Sequence, residues 1–444
     1  MTTDLYSLTA VEAAASIAKG EITSEALVGA CLDRIAALEP QVQAWAFLDR
    51  ERALEQAKAA DDARRSGKGI GPLHGVPVGI KDIIDTGDMP TENGSPYCKG
   101  RQPEKDAACI AALRSAGAVI LGKTVTTELA THVPSRTRNP RNLEHTPGGS
   151  SAGSAAAVAC DMVPLALGTQ TKGSVIRPAS FCGIYGLKPT FGTIPRTGVL
   201  AQALSLDTIG VYGRSIEDVA LIADVLNIYD DRDSASFAGS RGRMRATAME
   251  DWSLPPMFAF VKTDAWSKAD ASTHEAYGEL VEQLGGQVHE ISIDATCERA
   301  SNACKIIQDV ELSLHFGPIF DRAPDKIAKS LGAQIEEGRR VRGVDYLAAL
   351  EARQACLDTL QEIFLDYGTI LTPPARGVAP KGFGSTGDPI FCGLWTYLGV
   401  PAVTVPLLEV DGLPLGVQLV GAPRDDARLL RTAHGLLRHL EAAT

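Results

Sequence analysis

Residues 163–178 read Val163-Pro164-Leu165-Ala166-Leu167-Gly168-Thr169-Gln170-Thr171-Lys172-Gly173-Ser174-Val175-Ile176-Arg177-Pro178. A short apolar run passes directly into a loop of small polar residues. An apolar run of that length bounded by turn residues reads as a buried strand, Val163 to Gly168. The loop then lies at the strand's C-terminal end, where open α/β sheets hold ligands. Successive backbone amides from Thr171 to Ser174 can form a nest for a negative oxygen. The alternative is an ordinary surface loop, because Thr and Ser are common in turns. A phosphate-binding P-loop is excluded: Ser174, not lysine, follows Gly173.

The same texture extends outward from Gly71 to Gly213. Val76 to Ile84, Val119 to Lys123, Gly183 to Leu187 and Ile209 to Tyr212 are further strand candidates, with helical stretches such as Ala107 to Ser115 between them. Ser215 to Leu226 reads as a helix. Before this region, residues 1–66 read as a helical lead-in. Leu8 to Lys19 stops at Gly20, Thr23 or Ser24 caps a helix to about Leu38, and a charged helix spans roughly Arg50 to Ser66. Residues 229–256 are polar and read as a flexible connector or surface excursion. Over 257–444 the expected strands are Phe258–Val261, Thr369–Leu371, Ala402–Val405 and Val417–Val420. The expected helices lie near Glu275–Leu284, Cys297–His315, Val344–Tyr367 and Asp425–Leu440. Together these predict an α/β fold over residues 1–444: a single large domain with a central mixed, twisted β-sheet covered by helices on both faces, and 71–213 as its catalytic core segment.

Composition narrows the function. The 444 residues are 45% apolar and carry 43 Lys plus Arg against 54 Asp plus Glu, a net charge of −11. That balance argues against nucleic acid or an anionic membrane as partner. No apolar run approaches the roughly 18 residues of a membrane helix. The N-terminus lacks the basic flank and apolar stretch of a signal peptide. The nine cysteines include no Cys-x-x-Cys pair, which predicts free buried thiols and a cytoplasmic location. The eight histidines form no His-Glu-x-x-His motif or Cys/His ligand spacing, so neither a metal nor a cofactor is expected.

Two more segments carry chemistry by residue type. In Val76-Pro77-Val78-Gly79-Ile80-Lys81-Asp82-Ile83-Ile84 a lysine sits inside an apolar strand. Burial disfavours the ammonium and makes a neutral amine available as a base. The competing reading is a lysine that snorkels to water or pairs with Asp82. In Pro147-Gly148-Gly149-Ser150-Ser151-Ala152-Gly153-Ser154 a Gly/Ser loop enters an Ala-rich helix, which suits either close backbone approach to a ligand or tight core packing. Gly149 to Gly153 also fits Gly-x-Ser-x-Gly, but the strand required before a nucleophile elbow is missing, since Asn139 to Pro147 reads as loop. His74 and His145 flank these loops and are read either as a Ser–His partner or as satisfying local hydrogen bonds.

Taken together the three segments resemble the amidase signature family. The lysine strand Gly75 to Asp82, the Gly/Ser loop Gly148 to Ser154 and the segment Leu167 to Pro189 each look like the family's motifs, and 24 residues separate Ser150 from Ser174, as the family requires. Gly168-Thr169-Gln170-Thr171 with Ser174 to Pro178 looks most like the malonamidase-type branch. The resemblance implies Ser174 as nucleophile, Ser150 as a bridging serine on a cis peptide, and Lys81 as base. It also implies an oxyanion hole from the amides of Thr171, Lys172, Gly173 and Ser174, with Ser151 and Thr169 as supporting hydrogen bonders and Gly149 and Arg177 at the substrate. Arg177 suits a substrate carboxylate; the alternative is a structural ion pair. Where the family usually has Gly-Gly-Ser this chain has Lys172-Gly173-Ser174. If position 172 needs positive φ, lysine there costs roughly 1 kcal/mol.

The expected function is a cofactor-free amide-bond hydrolase acting through a serine acyl-enzyme on a small molecule, releasing ammonia or an amine. Carbamate (urethane) or ester hydrolysis by the same residues is one alternative. A component of a transamidation complex, or a homologue impaired by Lys172, is another. The resemblance leaves a homodimer open. Residues 131–142, 229–256 and 376–396 are the expected pocket loops, with Trp395, Phe383 and Phe391 as either an apolar pocket lining or core.

Overall fold

A computed structural model describes residues 4–443 apart from 68, 240–241, 253–254, 294–296 and 298–299. Among these, eleven strands form one mixed sheet. They are β1 (Trp45–Leu48), β2 (Pro77–Lys81), β3 (Val119–Thr124), β4 (Leu165–Gln170), β5 (Tyr185–Lys188), β6 (Thr208–Gly213), β7 (Phe258–Lys262), β8 (Val288–Ser292), β9 (Thr369–Thr372), β10 (Ala402–Val410) and β11 (Leu413–Gly421). Their order is β1-β3-β2-β4-β6-β5-β10-β11-β9-β7-β8. β2 runs parallel to both β3 and β4, β7 runs parallel to β8 and β9, and the other pairings are antiparallel. Every residue of β2, β3, β4 and β6 is buried, so both faces of the sheet are covered there. This is why those strands read as continuous apolar runs rather than alternating ones.

The lead-in is helical because its caps are in place. Thr9 and Glu12 form a reciprocal capping box for Ala10–Lys19, and Gly20 ends that helix at φ 78°. Asp61 is buried, and its carboxylate accepts from Ser24 N at 2.9 Å and Glu25 N at 3.0 Å, capping Ser24–Val42 from the neighbouring helix Arg50–Arg65. The lead-in also contains β1, paired antiparallel with β3, where helix alone was expected. Four apolar residues are too few for periodicity to tell strand from helix. β8 and the helices Lys329–Arg340 and Ile390–Tyr397 are likewise additions to the expected elements.

The polar stretch 229–256 is tied down where it is described. Arg196 and Asp233 form a buried ion pair at 2.7 Å, and the short helix Met244–Ala248 packs against Ile216–Leu226 and Asp426–Ala443. Positions 240–241 and 253–254 of that stretch lie outside the described residues. The expectation of nine free thiols is corrected: Cys297 and Cys356 are joined in a disulfide with Cα atoms 5.2 Å apart. They are 59 residues apart in sequence, and only the packing of the helical layer brings them together. No helix among the described residues is long and apolar enough to cross a membrane.

Replacing Asp61 with Ala removes the acceptor of the buried Ser24 amide and of the half-buried Glu25 amide, and we expect a loss of about 1–3 kcal/mol in urea unfolding. An unchanged unfolding midpoint would contradict this account of the lead-in.

Candidate active site

The parallel register Ile80↔Leu167 sets the end of β2 beside the end of β4. Lys81, the last residue of β2, is fully buried. Its Nζ lies 2.7 Å from Ser150 Oγ and 2.7 Å from Thr169 Oγ1, and reaches Thr169 O at 3.5 Å. No carboxylate lies within ion-pair distance of it among the described residues. Asp82, its neighbour in sequence, instead faces Lys123 at 3.8 Å. Burial pushes the Lys81 amine well below the usual lysine range, against a weaker upward pull from Asp207. The snorkelling and Asp82-paired alternatives are therefore both set aside.

Ser150 follows a cis Gly149–Ser150 peptide. Its carbonyl accepts from Thr127 N at 3.2 Å. Ser151 clamps the end of β4: its hydroxyl donates to Thr169 O and accepts from Thr169 N, both at 3.2 Å. That approach requires a glycine at 168, where a Cβ would stand 2.9 Å from Ser151 Oγ and 2.8 Å from the Tyr212 ring. The segment before the Gly/Ser loop contains no strand, so no nucleophile elbow is present among the described residues. His74 and His145 bond to the carbonyls of Ala60 and Ala379, and neither hydrogen-bonds a serine among the described residues.

The loop after β4 is staked on two sides. Gln170 Oε1 accepts from Val175 N at 2.8 Å and Ile176 N at 3.0 Å, closing the turn that carries Ser174 into the helix Ile176–Cys182. Gln170 Nε2 donates to Thr396 Oγ1, which in turn donates to Lys172 O at 2.6 Å. On the other side Thr171 Oγ1 donates to Asp207 at 2.6 Å, and Asp207 also accepts from Gln202 N and Ala203 N. Held this way, the amides of Lys172, Gly173 and Ser174 have no acceptor among the described residues. Lys172 does not adopt positive φ, so the backbone cost considered for a lysine there does not arise.

Ser174 lines a cavity of about 290 Å³ together with Lys172, Gly173 and Arg177. Its hydroxyl makes no hydrogen bond among the described residues, so the contact between the Ser150 and Ser174 side chains is open while that between Lys81 and Ser150 is closed. Arg177 is buried, and burial pushes its pKa down. Its Nε donates to Thr386 O at 2.9 Å and Nη2 to Gly149 O at 2.7 Å, whereas Nη1 has no partner. It forms no ion pair among the described residues, which removes the structural ion-pair reading.

Of the expected pocket loops, Thr131, His132, Thr386, Gly387 and Pro389 reach the cavity, and none of the described residues of 229–256 does. The far wall comes from the helices Ala300–Arg322 and Lys329–Arg340, for which the sequence held no site signal. Trp395 and Phe391 are buried and Phe383 is exposed under Arg138; none of the three lines this cavity. Sequence reasoning missed the parts played by Gln170, Thr396 and Asp207. Gln170 stood inside the quoted motif, and only its contacts reveal what it holds. No group of three or more His, Cys, Asp or Glu gathers as metal ligands among the described residues.

This constellation can be set beside known proteins. A family model described as Amidase matches residues 26–430. The chain is 34% identical to a glutamyl-tRNA(Gln) amidotransferase subunit from Chloroflexus aggregans, covering 98% of this chain and 97% of that protein. Among solved structures it resembles a chain from a vestigial protein complex that reveals the evolutionary origins of an s-triazine catabolic enzyme. That match has TM-score 0.91 and 26% identity, with 98% of each chain covered. It also resembles the peptide amidase from Stenotrophomonas maltophilia, with TM-score 0.84 and 27% identity over 98% of this chain and 97% of that one. With its lysine strand, Gly/Ser loop and staked serine turn carried on this sheet, the chain belongs to the amidase family.

Proposed function

We propose that the protein hydrolyses amide bonds through a serine acyl-enzyme. The observation that carries this reading is a fully buried lysine, without a counter-ion among the described residues, 2.7 Å from the Ser150 hydroxyl, together with a cavity lined by Ser174. In the reaction Ser174 Oγ attacks the carbonyl carbon, and its proton passes to Ser150 while Ser150 passes its own to the neutral Lys81 amine. The Ser150–Ser174 contact closes when the acyl group occupies the cavity, as catalytic hydrogen bonds often tighten in the substrate complex. The amides of Thr171, Lys172, Gly173 and Ser174 receive the negative oxygen, a contribution of about 3–4 kcal/mol for each strong donor. The proton returns to the leaving nitrogen, ammonia or an amine departs, and water clears the ester by the same relay. Ser151 and Thr169 hold the lysine end of the relay. Gly149 and Arg177 border the substrate, and the free Nη1 of Arg177 suits an anionic acyl group. Carbamates and esters pass through the same oxyanion.

A second reading has specific support. The curated relatives at 34% and 36% identity over almost the whole chain are amidotransferase subunits. On that reading the same serine chemistry releases ammonia for use by a partner. The two diverge in one assay: multiple turnover on simple amides by the purified chain, without partner or ATP, supports the stand-alone hydrolase, and turnover only with partners supports the amidotransferase role.

Replacing Ser174 with Ala is expected to lower kcat by about a thousandfold or more. A serine-reactive phosphonate should label Ser174 alone; labelling elsewhere, or full activity in the variant, would overturn the assignment. The pH profile has a definite sign. A base whose pKa is lowered is charged and idle below that value and free above it, so kcat/KM should rise with pH along a single acid limb. Lys81→Met should lose that activity, and a flat profile between about pH 5 and pH 9 would contradict a lysine base.

A further inference from the structure

Two charged groups near the serine turn each lack a contacting partner of opposite sign. Lys81 Nζ meets oxygens of Ser150 and Thr169, and no carboxylate stands within ion-pair distance of it among the described residues. Asp207, the residue before β6, forms no ion pair among the described residues either. Its Oδ1 accepts from Thr171 Oγ1 at 2.6 Å, and its Oδ2 accepts from Gln202 N at 2.8 Å and Ala203 N at 2.9 Å. Two oxygens that both accept suit the ionised carboxylate, because a protonated one needs an acceptor for its own hydrogen. Burial raises the Asp207 pKa, and these three hydrogen bonds oppose the rise. The Arg196 charge also acts on Asp207, yet that guanidinium is paired with Asp233 at 2.7 Å and reaches only the Asp207 backbone carbonyl, at 3.2 Å.

The sheet brings these two groups into one neighbourhood. β4 and β6 pair antiparallel, with Thr169 opposite Ile209 and Gln170 opposite Thr208, which sets Asp207 at the end of β4. Thr169, Thr171 and Asp207 line one small cavity of about 30 Å³, and Lys81 donates to the Thr169 hydroxyl. The Asp207 charge acts on the lysine and favours its ammonium form, against the effect of burial. A carboxylate in contact with Lys81 would hold the proton and leave no base. One set back from it leaves the amine neutral at rest, and still attracts the ammonium that forms when the amine takes a proton.

We propose that Asp207 is a positioning residue for the hydrolytic reaction: its charge favours the ammonium that Lys81 becomes when Ser174 attacks, and its hydrogen bond holds the Thr171 amide where the negative oxygen develops. This rests on the amide-hydrolase reading above and adds to it a residue that does not line the Ser174 cavity. The two effects act at opposite ends of one transition state, the ammonium and the oxyanion. The Thr171 hydroxyl and the amides of Gln202 and Ala203 turn their positive ends toward the carboxylate, which lessens its repulsion of the oxyanion. The proton that Lys81 accepts returns through Ser150 to the leaving nitrogen, so Asp207 keeps its charge through the whole turnover.

The test follows the rate at which a serine-reactive phosphonate labels Ser174 between about pH 5 and pH 10. It compares the wild type with Asp207→Asn, Asp207→Ser and Thr171→Val, each checked for native packing by near-UV circular dichroism. A charge that favours the ammonium raises the pKa of the lysine, so its removal frees the amine at lower pH. Either natively packed Asp207 variant is expected to move the acid limb down by about half a pH unit or more. Its plateau should fall by about tenfold or more, because a weaker base drives the attack less. Thr171→Val keeps the charge, so its limb should stay within about 0.2 pH units of the wild type while its plateau falls by about tenfold. A merely structural role for Asp207 lowers the plateau and leaves the limb in place. That result, or a limb that moves to higher pH, overturns the inference and leaves the hydrolase reading intact. So does a Thr171→Val plateau equal to that of the wild type. A wild-type rate without an acid limb, or labelling away from Ser174, overturns the reading beneath it.

Discussion

An amine buried without a counter-ion is the constraint on which the site is built. Lys81 ends a strand whose every residue is buried, and its Nζ meets only hydroxyl and carbonyl oxygens of Ser150 and Thr169. At neutral pH, removing the proton from an ordinary lysine costs about 5 kcal/mol. Burying an ammonium with no carboxylate beside it costs at least several kcal/mol and up to about 20 in the dry limit. The second cost favours the neutral amine, and the proposed relay needs that form. Asp207 moderates the effect from a distance while its oxygens are taken by Thr171 and two backbone amides.

Comparison with the chain's other buried lysines shows that burial alone does not make a base. Lys123 donates to Ile84 O and Thr91 Oγ1 and stands 3.8 Å from Asp82; burial lowers it to about 8 and raises Asp82 to about 6. Lys188 donates to the carbonyls of Pro189 and Val400. Both pin backbone segments together. Among the described buried lysines only Lys81 has a serine hydroxyl as partner, and that serine stands beside the loop whose free amides and Ser174 face a cavity. The staking of that loop by Gln170, Thr396 and Asp207 is the other half of the proposed site, since donors held in place need no rearrangement as charge develops.

Much of this was legible in the sequence because the chemistry lies on strand ends and tight loops. Apolar runs such as Leu165–Leu167 mark fully buried strands, and the residues after them are then placed by parallel pairing. What stayed hidden depends on long-range contacts. Asp207 has no local signal, yet it anchors Thr171 from 36 residues away. The cavity's far wall consists of helical faces whose polar residues look like any solvated surface until they are packed opposite Ser174. Trp395 and Phe391 show the same limit: aromatic type admits either a pocket lining or a core position, and packing places both in the core. Arg177 admits two roles by residue type, and only the missing carboxylate partner separates them.

The central claim is the charge state of one nitrogen. Neutron diffraction from deuterium-exchanged crystals near neutral pH would count the deuterons on Lys81 Nζ directly. The account predicts a neutral –ND₂ group with a deuteron shared along the line to Ser150 Oγ. A fully deuterated –ND₃⁺ at that position would contradict it and leave Ser174 without a base.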